Sequence, residues 1–191
     1  MMQPRGGWRA AAVAAAMLSS PACLVLSLQP AYDAASVVFE EGLLGNWENR
    51  EDQTQLVVER GEWRSYRIAF TERGSTRTLK GNLTAIGEKP IRYVDVTEPR
   101  GADPGPYLIP VHALYRVTLN GDELTAAPLD FDWFTQAMAE RRRLAPPGLA
   151  IDDRRNAIVT SSTAEFRRWI ARAPEAAFAA PMTFSRVRPG I

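Results

Sequence analysis

The chain reads as a mainly β domain: an antiparallel meander closing into a barrel of roughly eight strands, with two short helices near the C-terminus. Three observations predict this. Turn signals come at close spacing from Leu43 onward, apolar and polar residues alternate with a period of two between them, and the apolar spacing changes to three and four residues after Asp130. Closure follows from the edges, because so many short strands would otherwise leave rows of backbone groups unpaired.

The first strand falls at about 44–49 and carries Gly45-Asn46-Trp47. The second, Gln55 to Arg60, turns at Gly61-Glu62 into a third, Arg64 to Thr71. There Tyr66, Ile68 and Phe70 alternate with Ser65, Arg67 and Ala69, which gives one buried and one wet face. Arg73-Gly74 reverses the chain into a fourth strand, where Leu79, Gly81, Leu83 and Ala85 alternate with Thr78, Lys80, Asn82 and Thr84. Gly87-Glu88-Lys89 leads to a fifth at Ile91 to Thr97. Pro99, Gly101, Pro104, Gly105 and Pro106 make Glu98 to Pro110 a surface excursion. Val111 to Leu119 is the sixth strand, and Asn120-Gly121 is expected to supply the two positive-φ residues of a type I′ turn before the seventh, Glu123 to Leu129.

The tail changes period. Asp130 is placed to cap a helix whose Phe131, Phe134 and Met138 share a face, and Pro146-Pro147-Gly148 ends it. A short strand at Ala157 to Thr160 precedes the capping box Ser162-Thr163-Ala164-Glu165, which opens a second helix with Phe166, Trp169 and Ile170 as its apolar stripe. Pro181 to Val187 supplies the last strand.

Ahead of the domain lies a leader. Arg5 and Arg9 flank the start of an Ala-rich apolar run from Ala10 to Leu28, and Ser20-Pro21-Ala22-Cys23 has the small residues of a cleavage site. Residues 1–22 are therefore expected to be a bacterial-type signal peptide, 23–40 a tether and 41–191 a single domain. Three fates of the leader stay open. Cys23 follows a segment that resembles a degenerate lipobox, which implies lipid attachment there; cleavage after Ala22 would release a secreted protein; no cleavage would leave an apolar anchor. Lipid anchoring is ranked first, so the expected place is the periplasm or the membrane surface facing it.

Composition narrows the function classes. The leader holds two of the 23 basic residues and none of the 22 acidic ones, so the remainder is electrically balanced and its charges are interleaved, which does not suit a nucleic-acid partner. Cys23 is the one cysteine, so no disulfide forms within the chain, and His112 is the one histidine, which excludes a two-histidine metal site. Neither a phosphate-cradling glycine loop nor a Gly-x-Ser-x-Gly elbow is present, and no cofactor is called for. One polar pair stands out. With Val96 facing Val111 across antiparallel neighbours, Asp95 would lie opposite His112 with Tyr93 on the same face. An acid beside an imidazole is two-thirds of a hydrolytic triad, but the third member has no recognisable context, and a cross-strand hydrogen bond is the plainer reading.

Gly45-Asn46-Trp47 in the first strand resembles the Gly-x-Trp motif of lipocalins and related calycin barrels. The resemblance implies that Trp47 plugs a closed end and is covered by an arginine from near the C-terminal end, a role open to Arg186 or Arg188. It also implies a lipocalin-like barrel able to hold a small apolar or amphipathic ligand. Tyr66, Phe70, Tyr93 and Tyr115 on the strands are then candidates to line the cavity, or equally to fill it. Two functions of different class follow. One is a non-enzymatic envelope protein binding such a ligand; the other is a structural or interaction component with a solid core that contacts a protein partner through the Glu98 to Pro110 loop. A hydrolase using Asp95 and His112 is a minor third.

Overall fold

The computed structural model describes residues 24–88, 91–99, 109–140, 143–152 and 156–188. Twelve strands and two α-helices follow one another as β1 (Val25–Ser27), β2 (Val37–Val38), β3 (Gly45–Asn49), β4 (Thr54–Arg60), β5 (Ser65–Glu72), β6 (Ser75–Ile86), β7 (Ile91–Thr97), β8 (His112–Asn120), β9 (Glu123–Pro128), α1 (Phe131–Glu140), β10 (Leu149–Ile151), β11 (Ala157–Val159), α2 (Thr163–Ile170) and β12 (Met182–Val187). Strands β3 to β9 pair in chain order, β12 joins β9 to β3, and all these pairings are antiparallel. The ring is a closed eight-stranded barrel, as the spacing of turns predicted.

Hairpin chemistry sets the register. Glu72 pairs with Ser75 around Arg73 and Gly74, whose φ values of 49° and 78° make the primed turn that suits the twist of the flanking strands. At the β8–β9 reversal the expected turn is displaced by one residue. Asn120 pairs with Glu123, so Gly121 and Asp122 are the central residues; of these only Gly121 has a positive φ, 61°, which is the type II′ pattern rather than type I′.

Alternation along each strand then sorts the side chains. Trp47, Val58, Tyr66, Leu83, Val94, Val117, Leu124 and Phe184 form the core inside the barrel. Gln55, Glu59, Arg67, Thr71, Thr78 and Lys80 face outward from β4, β5 and β6, the composition of a wall against water. A second core lies outside the ring, where Tyr93, Leu114 and Ala127 of the wall meet Phe131 and Phe134 of α1 and Phe166, Trp169 and Ile170 of α2. Each helix starts at a predicted cap. Asp130 Oδ1 accepts the Trp133 amide at 2.7 Å, and Ser162 and Glu165 complete the reciprocal capping box. Helix α1 is described over Phe131–Glu140, inside the predicted span.

The expected tether is not a tether. Residues 24–40 are built into the fold, since β1 pairs in parallel with β11 and antiparallel with the upper end of β8, while β2 takes over the edge of β6 where β5 stops. Ala31, Val37 and Ser27 are buried. Unpaired edges explain this: β8 and β6 outrun β9 and β5, and the N-terminal segment covers the backbone groups left over. Strands β10, β11 and β1 thus make a small side sheet branching from β8.

Candidate functional site

Gly45, Trp47 and Arg186 converge at the lower end of the barrel. Trp47 is 1% exposed, faces Arg186 across the β3–β12 register, and carries that guanidinium 4.1 Å above its ring centroid. The indole N–H donates to the Leu43 carbonyl at 3.0 Å, while Arg186 donates to the carbonyls of Leu44 and Gly42 at 2.7 and 2.6 Å. Glycine is needed at position 45 for two reasons. Its φ is 129°, and an added Cβ would stand 2.8 Å from Arg186 Nη1. Arg188 does not cover the tryptophan but pairs with Asp122, whose carboxyl is held below its usual range chiefly by that hydrogen bond.

The rest of this end is sealed with matched charge. Tyr66 stacks on Phe39 with centroids 4.8 Å apart, and its hydroxyl accepts the Glu40 amide at 2.7 Å and donates to the Glu40 carbonyl at 3.2 Å. Arg60 and Arg92, on the inward faces of β4 and β7, pair with Glu41 and Glu40. Together these residues form a floor.

Burial varies among the residues of the inner core. Trp47, Tyr66 and Phe184 are 1% exposed and Thr54, at the start of β4, is 4% exposed; Val94, Val96, Val117 and Ala126 are 8–9% exposed; Leu56, Ile68, Leu79, Ala113, Tyr115 and Met182 on the wall are half-buried, as are Phe39, Leu44 and Leu119 at the lower end. The upper turns form the rim of the barrel. At its rim a cleft of about 310 Å³ opens between the β3–β4 and β5–β6 turns, with Phe70, Thr54 and Met182 below and Glu72 and Arg73 above. Burial alone pushes the Tyr115 phenol above its ordinary 10.0.

The four candidate aromatics are thereby separated. Tyr66 belongs to the floor, Tyr115 to the inner wall and Phe70 to the rim. Tyr93 is on the wrong side of the wall for a ligand in the barrel, because inward Val94 follows it directly; it packs outside, 6.0 Å from Phe178.

Asp95 and His112 also lie on that outer wall, and they touch. Asp95 Oδ1 is 2.7 Å from His112 Nδ1, and Oδ2 accepts the Ala31 amide at 2.7 Å. Their register differs from the expected one by two residues: Val96 pairs with Ala113 and Asp95 with Leu114, so His112 reaches Asp95 diagonally. A slip of two keeps every side chain on its own face, which is why the contact survives. Ser27 pairs with His112 across β1–β8, but its hydroxyl donates to the Gln29 carbonyl at 2.6 Å, and among the described residues no hydroxyl is hydrogen-bonded to the imidazole. The space between Ser27, Asp95, His112 and Phe166 has no room for a water molecule. Arg167 completes the cluster by donating to the Ala31 carbonyl at 2.7 Å and to Thr84 Oγ1 at 2.9 Å. Its place was readable at one point: Thr163, Phe166, Arg167 and Ile170 share the buried spacing of α2, and an arginine there needs buried acceptors.

Cys23, the leader and residues 100–108 of the long loop lie outside the described residues. Among the described residues no helix is long and apolar enough to cross a membrane, and no three acidic, histidine or cysteine side chains gather around a possible metal ion. No protein-family model, curated protein or solved structure matches the chain.

Proposed function

We propose that this chain is an exported, lipocalin-like binding protein that holds a small apolar or amphipathic molecule in the upper half of its barrel and catalyses no reaction. The carrying observation is the contrast inside the ring between a floor sealed by Trp47, Tyr66 and Phe184 and half-buried Leu79, Ala113 and Met182 higher on the wall, with a cleft opening at the rim. A one-ended apolar cup is the usual shape of a site for such ligands. The Gly45, Trp47 and Arg186 arrangement adds support, because it is how the resembled family closes its barrel.

The leader supports export, with Cys23 as lipid attachment point and the periplasmic side of a membrane as the place of action. A mass measurement of the processed N-terminus tests this: a lipid-modified Cys23 is expected, and an intact residue 1–22 segment on a cytosolic product overturns it. A hydrolase built on Asp95 and His112 has less support, since among the described residues no hydroxyl is hydrogen-bonded to the imidazole and the space beside the pair does not admit a water molecule.

Uptake of the neutral fluorophore N-phenyl-1-naphthylamine tests the cup. Wild-type protein is expected to enhance its emission saturably, and Ala113→Trp, which places an indole among the half-buried residues, to weaken binding at least about tenfold. Equal uptake by the two, or none by the wild type, favours the solid-core protein-interaction reading instead.

A further inference from the structure

We propose that the molecule held in the cup carries a neutral hydrogen-bond acceptor, a ketone, ester or amide carbonyl, that meets the hydroxyl of Tyr115; this rests on the cup reading above. Tyr115 is on the inward face of β8 at mid-height, across from Val94 of β7 and Pro128 of β9, with Ala113 and Val117 before and after it on the same face. Its surroundings are apolar. Among the described residues its hydroxyl has no hydrogen-bond partner, yet it is not one of the fully sealed unpaired atoms, which are Thr97 Oγ1 and Ser161 Oγ. Desolvation is the sole influence on its phenol, with neither a charge nor a hydrogen bond acting on it.

The contrast with the other wall tyrosines sharpens the point. Tyr66 spends its hydroxyl on the Glu40 backbone, and Tyr93 feels the charges of Arg116 and Glu175. Among these three tyrosines, Tyr115 is the one whose hydroxyl is left free toward the barrel interior. A phenylalanine would fill the same wall; the tyrosine adds a hydroxyl that keeps accessible surface and has no partner within the described residues, so its acceptor comes from outside the chain.

That acceptor is neutral because, among the described residues, no inward cation remains free deep in the barrel. Arg60, Arg92 and Arg186 are each matched by a carboxylate at the floor, and Arg77, on the inward face of β6 across from Phe70, stands at the exposed rim. A buried carboxylate beside Tyr115 would have no counter-charge. Tyr115 is thus a specificity-determining residue rather than a catalytic one.

Competition against bound N-phenyl-1-naphthylamine tests this with the protein as the cell processes it, using undecane, 2-undecanone and undecanoate as competitors. In the wild type, 2-undecanone is expected to bind about five- to tenfold tighter than undecane and tighter than undecanoate. Tyr115→Phe keeps the ring and removes one oxygen; it is expected to erase the preference for the ketone while leaving undecane unchanged. A ketone preference that persists in Tyr115→Phe, or undecanoate as the best wild-type competitor, overturns the inference while the cup reading stands. Fluorophore uptake absent from the wild type removes the cup reading and this inference with it.

Discussion

Arg186 does three things with one planar fork. It caps the Trp47 ring, satisfies the carbonyls of Gly42 and Leu44 where the chain crosses the barrel floor, and meets Asp122 at 3.2 Å. A lysine has neither the flat face nor the paired donors, so Arg186→Lys is expected to lower the urea midpoint, by about 1–3 kcal/mol in unfolding free energy. Gly45→Ala is expected to cost a similar amount, about 1–3 kcal/mol, through the positive φ and the encroachment on the guanidinium. An unshifted midpoint in either variant would show that the floor does not depend on this arrangement. The pairing itself could be suspected from Gly45 and Trp47, but choosing between Arg186 and Arg188 took the β3–β12 register: the two are one strand repeat apart and share a parity, and only the register places Arg186 across from Trp47. Tyr115 adds a pH signature. Its folded pKa lies above the ordinary 10.0, so the stability tied to its neutral form is intact below pH 10.0 and is lost as pH rises through the folded value. Tyr115→Phe is therefore expected to flatten the alkaline limb of a melting-temperature profile.

The N-terminal segment behaves as a strap drawn over the outer wall. Ala31 is gripped at both ends of its backbone, its N–H by Asp95 and its carbonyl by Arg167, and Thr84 Oγ1 donates to the Ser36 carbonyl further on. Asp95→Asn replaces one acceptor oxygen with a donor facing either the Ala31 amide or the imidazole. It is expected to cost about 1–3 kcal/mol and to speed amide exchange at Ala31 and along β1, with fluorophore uptake unchanged. Unaltered exchange at Ala31 would show that the clasp does not hold the strap. Helix α2 can be tested at its start, where Ser162→Ala removes the acceptor of the Glu165 amide and is expected to lower stability by about 1 kcal/mol. That cap was legible because it is local chemistry. The strap was not, because Gln29 to Ser36 has few large apolar residues and its burial comes from partners far along the chain.

For the molecule as a whole, the ring is joined at β12, and charge reinforces that junction. Asp122 in the β8–β9 turn pairs with Arg188 and Arg186 of the C-terminal strand and its end, and Glu175 pairs with Arg116 of β8. Both carboxyls sit below their ordinary values of 3.8 and 4.5, mainly through hydrogen bonds from those arginines. Their stabilising effect is therefore complete above the ordinary values and disappears as pH falls through the depressed ones. Both are exposed, so the effect is screened by salt. Thermal melts in low salt are expected to drop below about pH 4, less steeply in Asp122→Asn; an identical acid limb in that variant would rule out this junction as the cause.

Period, turn residues and caps were enough to determine a β meander, two late helices and the motif that closes one end, because each depends on neighbours within a few residues. Which side of the wall Tyr93 occupies, the diagonal meeting of Asp95 and His112, the burial of residues 24–40 and the unpartnered hydroxyl of Tyr115 were decided only by tertiary structure. Strand register and the use of leftover edges depend on pairings between distant segments, and a residue's local pattern carries no record of which distant segment will meet it.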